Sequence, residues 1–211
     1  MKKYISKKII LFTSVALLLS VTVGTTVAYL ITTSETVENA FIPSRVSCTV
    51  IEDGGNPVAG ALVNTGSSKN NVQIKNTGDT DAYIRVAVVV NWTNAEGTKI
   101  WAKKPVEDVD YEITYNLSDN GWVKGSDGFY YYSKVVSPTS PNDLTSVLIN
   151  NAGLKSGVTA PTGTDSTKYY LSIEIIASAI QTTADAVTAW SSGVAEMESN
   201  GTLTVQAADA D

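Results

Sequence analysis

Apolar and polar residues alternate with period two over several short stretches of this chain, and Gly, Asn, Asp, Ser and Pro separate the stretches. That alternation marks half-buried strands, because successive side chains of a strand point to opposite faces. Val46, Cys48 and Val50 alternate within 45–52, which predicts a strand followed by a turn over 53–56. The Gly-, Ser-, Asn- and Thr-rich stretch 59–71 reads as a loop. Val72 and Ile74 then lead into the run 76–81, and 82–92 follows as the longest alternation in the chain. There Ile84, Val86, Val88, Val90 and Trp92 form the predicted core face, with Tyr83, Arg85, Ala87, Val89 and Asn91 opposite.

Further along, 94–97 turns, Ile100-Trp101 starts a short strand, and Tyr111, Ile113 and Tyr115 alternate with polar residues. Gly125-Ser126-Asp127-Gly128 lies between Trp122-Val123-Lys124 and Phe129 to Tyr132, which predicts a hairpin with a glycine-bearing tight turn. The stretch 137–142 is a loop, 144–149 a strand and 153–167 a second loop. In 169–176, Tyr169, Leu171, Ile173 and Ile175 share one face. Ile180, Ala184, Val187, Trp190, Val194 and Met197 recur every three or four residues, a helical stripe that predicts a short closing helix. From 201 onward the chain reads either as a last strand or as a tail.

Many short strands and one short C-terminal helix predict an all-β fold, an antiparallel β-sandwich of jelly-roll or immunoglobulin-like type. Asn76, Gly78, Asp79 and Asp81 are the predicted structural turn. Gly tolerates positive φ, and Asn and Asp side chains bond local backbone. A calcium site at Asp79 and Asp81 is the rival reading, but two carboxylates are far from the roughly six oxygens such an ion gathers.

The N-terminus changes the picture. Lys2, Lys3, Lys7 and Lys8 precede an apolar run over 9–23, the layout of a secretory signal, with cleavage expected between Ala28 and Tyr29. The run from 9 to 30 nearly reaches across a bilayer of about 30 Å, so an uncleaved anchor competes. Gly24, Thr25 and Thr26 interrupt it where a peptidase needs extended backbone. The expected layout is therefore a signal over 1–28, an extended arm over 29–41 and a sandwich domain over 42–211.

Four of the 15 basic side chains and none of the 21 acids lie in 1–28, so the mature chain carries a formal charge of −10. That argues against nucleic acid and anionic membrane as partners, since both are bound through Lys and Arg. The single cysteine, Cys48, forms no internal disulfide, and in a strand-like run it reads as a small core residue. No histidine is present. This excludes His-Glu-x-x-His zinc sites and Ser-His-Asp or Cys-His catalysis, leaving only a carboxylate pair or a Ser-Lys dyad, which no spacing here recommends. No cofactor or metal is expected. Trp122 and Tyr130 are candidates for stacking on carbohydrate, against the simpler reading that they pack across strands.

The signal ending Gly24-Thr25-Thr26-Val27-Ala28-Tyr29, the following Asn39-Ala40-Phe41 and the run from Ile74 through Asn76-Thr77-Gly78-Asp79 to Val86 resemble the TasA and camelysin family. The hairpin from Gly121 to Tyr132 is similar to a segment of relatives. The resemblance implies export in a Gram-positive bacterium, processing by a SipW-type signal peptidase, and a jelly-roll domain that forms or decorates biofilm matrix fibres. In fibre-forming members the mature N-terminus is donated as a strand to the next subunit. Here that segment would carry Tyr29, Leu30, Ile31, Val37 and Phe41, which agrees with an arm that has no core of its own. The expectation is a secreted structural protein that self-associates or assembles with related exported proteins. A monomeric surface adhesin on the same sandwich is the alternative, and a histidine-independent hydrolase a remote one.

Overall fold

The longest alternation in the chain forms its longest strands. In the computed structural model, which describes residues 44–53, 56–57, 62–63, 68–117 and 120–208, β5 (Ala82–Thr93) is the middle strand of a sheet. Ile84, Val86 and Trp92 are buried and Val88 and Val90 half-buried, all against the core. The face assignment from the period of two is thus the observed one.

That sheet also contains β3 (Leu62–Val63), β7 (Trp122–Lys124), β8 (Tyr130–Val136) and β10 (Tyr170–Gln181), in the order β3-β10-β5-β8-β7. The second sheet runs β2 (Asn56–Pro57), β1 (Cys48–Glu52), β4 (Ser68–Asn76), β9 (Ile149–Leu154) and β6 (Tyr111–Tyr115). Every ladder within the two sheets is antiparallel. The chain is an all-β sandwich with one short helix.

Val72, Ile74, Ile113, Ile149 and Ala152 of one sheet meet Ile84, Val86, Trp122, Leu171 and Ile173 of the other. Fully burying such a side chain contributes about 1.5–3 kcal/mol, and this facing is what holds the layers together. Trp122 is fully buried and donates Nε1 to the carbonyl of Ser146 at 2.9 Å, and Tyr130 is also buried. Trp122 packs against its cross-strand neighbour Tyr132 with ring centres 5.1 Å apart, so the simpler reading of cross-strand packing is the observed one and the carbohydrate alternative falls.

The predicted hairpin is present: Gly125 donates its amide to Phe129 O at 2.7 Å, and Gly128 takes φ 84°. By contrast, β4 and β5 lie in different sheets, so the turn at 76–81 is an arch that carries the chain from one layer to the other.

Three expectations fail for physical reasons. The polar stretch 68–71 is strand rather than loop. Ser68, Lys69 and Asn70 pair with β9, Asn151 donates to Asn70 Oδ1 at 2.6 Å, and buried Lys69 meets Glu52 at 2.7 Å. Tertiary pairing overrides composition there. The strand expected over 144–149 begins at Ile149, because 144–148 is held against β4 partly by a side chain instead of a regular ladder. The helical stripe forms only one turn, α1 (Ala184–Val187), N-capped by Thr183, and then a 3-10 turn (Thr188–Trp190). Ile180 belongs to β10, and Val194 and Met197 to β11 (Val194–Met197), which pairs with β12 (Leu203–Val205).

These C-terminal elements build a second cluster on the outer face of the β5 sheet. Val187, Trp190, Val194 and Leu203 bury Tyr83 and Tyr131. Here the Arg85 guanidinium lies 4.2 Å from the Phe129 ring centre and 4.8 Å from that of Trp190. Residues 206–208 zip onto the hairpin, with Ser126 donating to Gln206 O at 2.7 Å and Ala208 to Lys124 O at 3.0 Å.

Candidate assembly edge

A strand uses the backbone groups on both its sides only if it has two neighbours, and β10 has two for only part of its length. On one side it pairs with β5 throughout, from Tyr170↔Thr93 to Gln181↔Ala82. On the other, β3 reaches only Leu171 and Ser172. Among the described residues, Ile173 to Gln181 therefore has no partner on that side. With respect to the described residues, every second residue of this nine-residue stretch turns its backbone donor and acceptor to that open side.

The edge opens onto the core. β1 lies against β10 at this lateral end of the sandwich, and β2 covers only Ile51 and Glu52 of it. Cys48 and Val50 from β1, and Ile175, Ala177 and Ala179 from β10, are half-buried and pack on the main core. Ala177 and Ala179 are small where the rest of the β10 core face carries Leu171, Ile173 and Ile175. A strand laid on this edge would place alternate side chains over them. Ile176, on the outer face, is 50 % exposed.

The electrostatics are those of an apolar crevice. Burial pushes the Cys48 thiol up, so it stays protonated. At the opposite end of the core burial does the same to Tyr115, stacked on Tyr130 at 4.6 Å, and pushes Tyr111 up to about 12. No group of three or more His, Cys, Asp or Glu that would suit a metal occurs among the described residues. No helix among them is long and apolar enough to cross a membrane.

The sequence-predicted site residues divide sharply. Ala28, Tyr29, Leu30, Ile31, Val37 and Phe41 lie outside the described residues. The turn residues are described. Asn76 is buried; its Oδ1 accepts from Gly78 N at 2.9 Å, and its Nδ2 donates to the carbonyls of Thr80 and Val136, each at 2.9 Å. Asp79 accepts from the Arg45 amide at 2.6 Å, while Asp81 is exposed. Gly78 does not have the positive φ expected of it. It is required for space, since a Cβ there would sit 2.3 Å from the Arg45 carbonyl oxygen.

The β10 edge itself was missed by sequence reasoning. Its signal was the alternation Ile173, Ile175, Ala177, Ala179, which runs past the expected strand end at 176 and was hidden because Ile180 also fits a helical stripe. Comparison with family models, curated proteins and solved structures finds no match for this chain.

Proposed function

We propose that the mature chain is a secreted structural subunit, and that copies assemble when residues 29–41 of one are laid as a strand along the β10 edge of the next. The observation that carries this reading is the stretch Ile173 to Gln181, which among the described residues has no strand partner on its outer side and borders a crevice lined by half-buried apolar side chains. Backbone hydrogen bonds along such an edge supply affinity, and pockets for alternate side chains supply register. The segment 29–41 suits the task in its own composition. It holds Leu30, Ile31, Val37 and Phe41 for the small-residue crevice, among Thr, Ser, Glu and Asn that suit a solvated face.

A formal charge of −10 keeps the free subunit soluble until enough strand is paired to outweigh repulsion. The role is mechanical, with the signal peptidase met once during export and later partners being copies of this chain or related exported proteins. Electron microscopy and size analysis of the protein starting at Tyr29, beside one starting at Ile42, test it. Fibres or large oligomers from the first and monomers from the second are expected. Fibres from both, or monomers from both, would overturn strand donation.

A further inference from the structure

The β5 sheet ends at β10 and the short β3 on one side and at β7 on the other, and the chain treats the two ends differently. Along β7 the bonds to β8 flank the strand at odd-numbered residues: Ser133 donates to Gly121 O at 2.8 Å and Gly125 to Phe129 O at 2.7 Å. Backbone groups alternate in direction along an antiparallel pair, so residues 122, 124 and 126 turn theirs outward, away from β8. Two of these three are taken. Lys124 O accepts from Ala208 N at 3.0 Å, Ser126 N donates to Gln206 O at 2.7 Å, and Ala207 lies opposite Gly125 in an antiparallel bridge. Residues 206–208 are thus laid along the β7 edge as a short extra strand.

The root of this short strand is fixed separately. Gln206 donates its amide to Gly193 O at 2.8 Å and its side chain to Ser191 O at 3.4 Å, both just past the 3-10 turn, and Ser126 Oγ reaches Ser192 O at 3.5 Å. Beyond Gln206 the one backbone bond to the hairpin among the described residues is that of the Ala208 amide. Ala207 is exposed and Ala208 half-buried, and two alanines bring little apolar area to hold the segment down. It is a strap, anchored at Gln206 and lightly held at Ala208.

We propose that residues 206–208 are an autoinhibitory strap over a second assembly edge, β7, whose occupant once the strap is lifted is the β10 edge of another copy. A bare edge strand is a template for pairing with another chain, and covering it prevents that pairing. β10 fits as the occupant because it closes the other end of the same sheet, so that a β7–β10 joint continues one sheet from copy to copy. Its stretch Ile173 to Gln181 also has no strand partner on its outer side among the described residues. Two β7 edges meeting antiparallel about Lys124 would instead set two ammonium groups opposite one another, which is unfavourable. A head-to-tail joint of this kind does not close on itself, so growth through it is open-ended. The strap keeps bodies from chaining through the β5 sheet, and this role does not need residues 29–41.

Chains starting at Ile42 test the strap apart from strand donation, because they lack the donated segment. Ending one at Gln206 removes the strap and keeps its root. In a second chain, ending at Asp211, Ala208→Pro removes the amide that bonds Lys124 and puts a ring in its place. Sedimentation and light scattering should show the unaltered body as a monomer and both variants growing in mass with concentration, well beyond a dimer, with circular dichroism unchanged. Cys48 lies on the β1–β10 side, so its labelling by a thiol reagent should slow in the associated material. Folded variants that stay monomeric would overturn the strap. Association that stops at a dimer, or that leaves Cys48 labelling unchanged, would overturn β10 as the occupant. Should the shortened chain lose its fold, the proline variant, which keeps Gln206 and its bonds, decides between these outcomes.

Discussion

Tyr131 donates its hydroxyl to Oδ2 of Asp127 at 2.7 Å, and the same oxygen accepts from Ser192 at 3.0 Å. One carboxylate thus ties the hairpin of the β5 sheet to the C-terminal cover. The cover fits closely: a Cβ on Gly193 would lie 2.4 Å from the Tyr131 hydroxyl oxygen, so the chain passes the ring only because that residue is glycine. Trp190 meets the Tyr131 ring edge-on at 5.7 Å and also flanks Arg85. The outer layer is an integral part of the domain, built around a polar centre that its aromatic rings shield.

A dependence on pH follows. Burial pushes the Asp127 carboxyl up, but hydrogen bonds from Tyr131, the Phe129 amide and Ser192 outweigh it and hold the group below its ordinary value. A carboxyl lowered on folding contributes stability above its unfolded pKa, about 4, and that contribution is lost as pH falls through the folded value. Urea midpoints of the chain starting at Ile42 should therefore drop below about pH 4. Asp127→Asn should be less stable at neutral pH and show a shallower acid decline; an unchanged decline would assign the loss to other groups.

Thr145 is a second polar anchor, inside the sandwich. Its Oγ1 accepts from the Ile74 amide at 2.9 Å while its own amide donates to Ile74 O at 2.9 Å, and it is 2 % exposed. Thr145→Val preserves shape but leaves a buried amide unpaired, which costs about 1–3 kcal/mol. Thr145→Ser keeps the oxygen and should cost less. Chemical denaturation that ranks valine as mild as serine would remove the hydroxyl from the account.

The same contact shows why parts of the fold were legible and others not. Along β5 the period of two names the core face, and Ile84 and Val86 fall where the pattern puts them; that the opposite face is covered too, with Tyr83 buried under the C-terminal elements, is not in that pattern. Segment 144–148 has strand-like residues, yet Thr145 satisfies β4 through a side chain, so the ladder begins only at Ile149; no local pattern encodes that substitution. In the C-terminal segment Val187 and Trp190 are buried as a helical stripe would place them, but the α-helix ends at Val187, the 3-10 turn at Trp190, and Val194 and Met197 go into a strand. The 76–81 motif was recognised as a turn. That it receives residues 44–47 depends on a contact thirty-odd positions away in sequence, which local reading does not contain.

The acceptor edge has its own test. Ala177 faces the crevice between β1 and β10 and is half-buried among apolar neighbours. Ala177→Leu fills space that an incoming side chain would take, while the β10–β5 ladder is made by backbone. Fibres from the chain starting at Tyr29 should be lost, with circular dichroism and melting of the monomer little altered. Undiminished fibres would place the donated strand on another edge.

Cys48 reports on the same crevice from the opposite wall. It is half-buried, packs on the core beside Val50, and its thiol is pushed up by burial. Only the thiolate attacks a disulfide reagent, so labelling of the free body should be slow at neutral pH and accelerate as pH rises past about 8.5, the ordinary thiol value. A strand along Ile173 to Gln181 would cover the crevice and remove what access remains. Labelling in assembled material should therefore be slower than in the chain starting at Ile42 at every pH. Recovery should follow disassembly by dilution. Equal rates in both states would mean that assembly leaves the crevice open, and the donated strand would have to be sought away from the β1–β10 side of the sandwich.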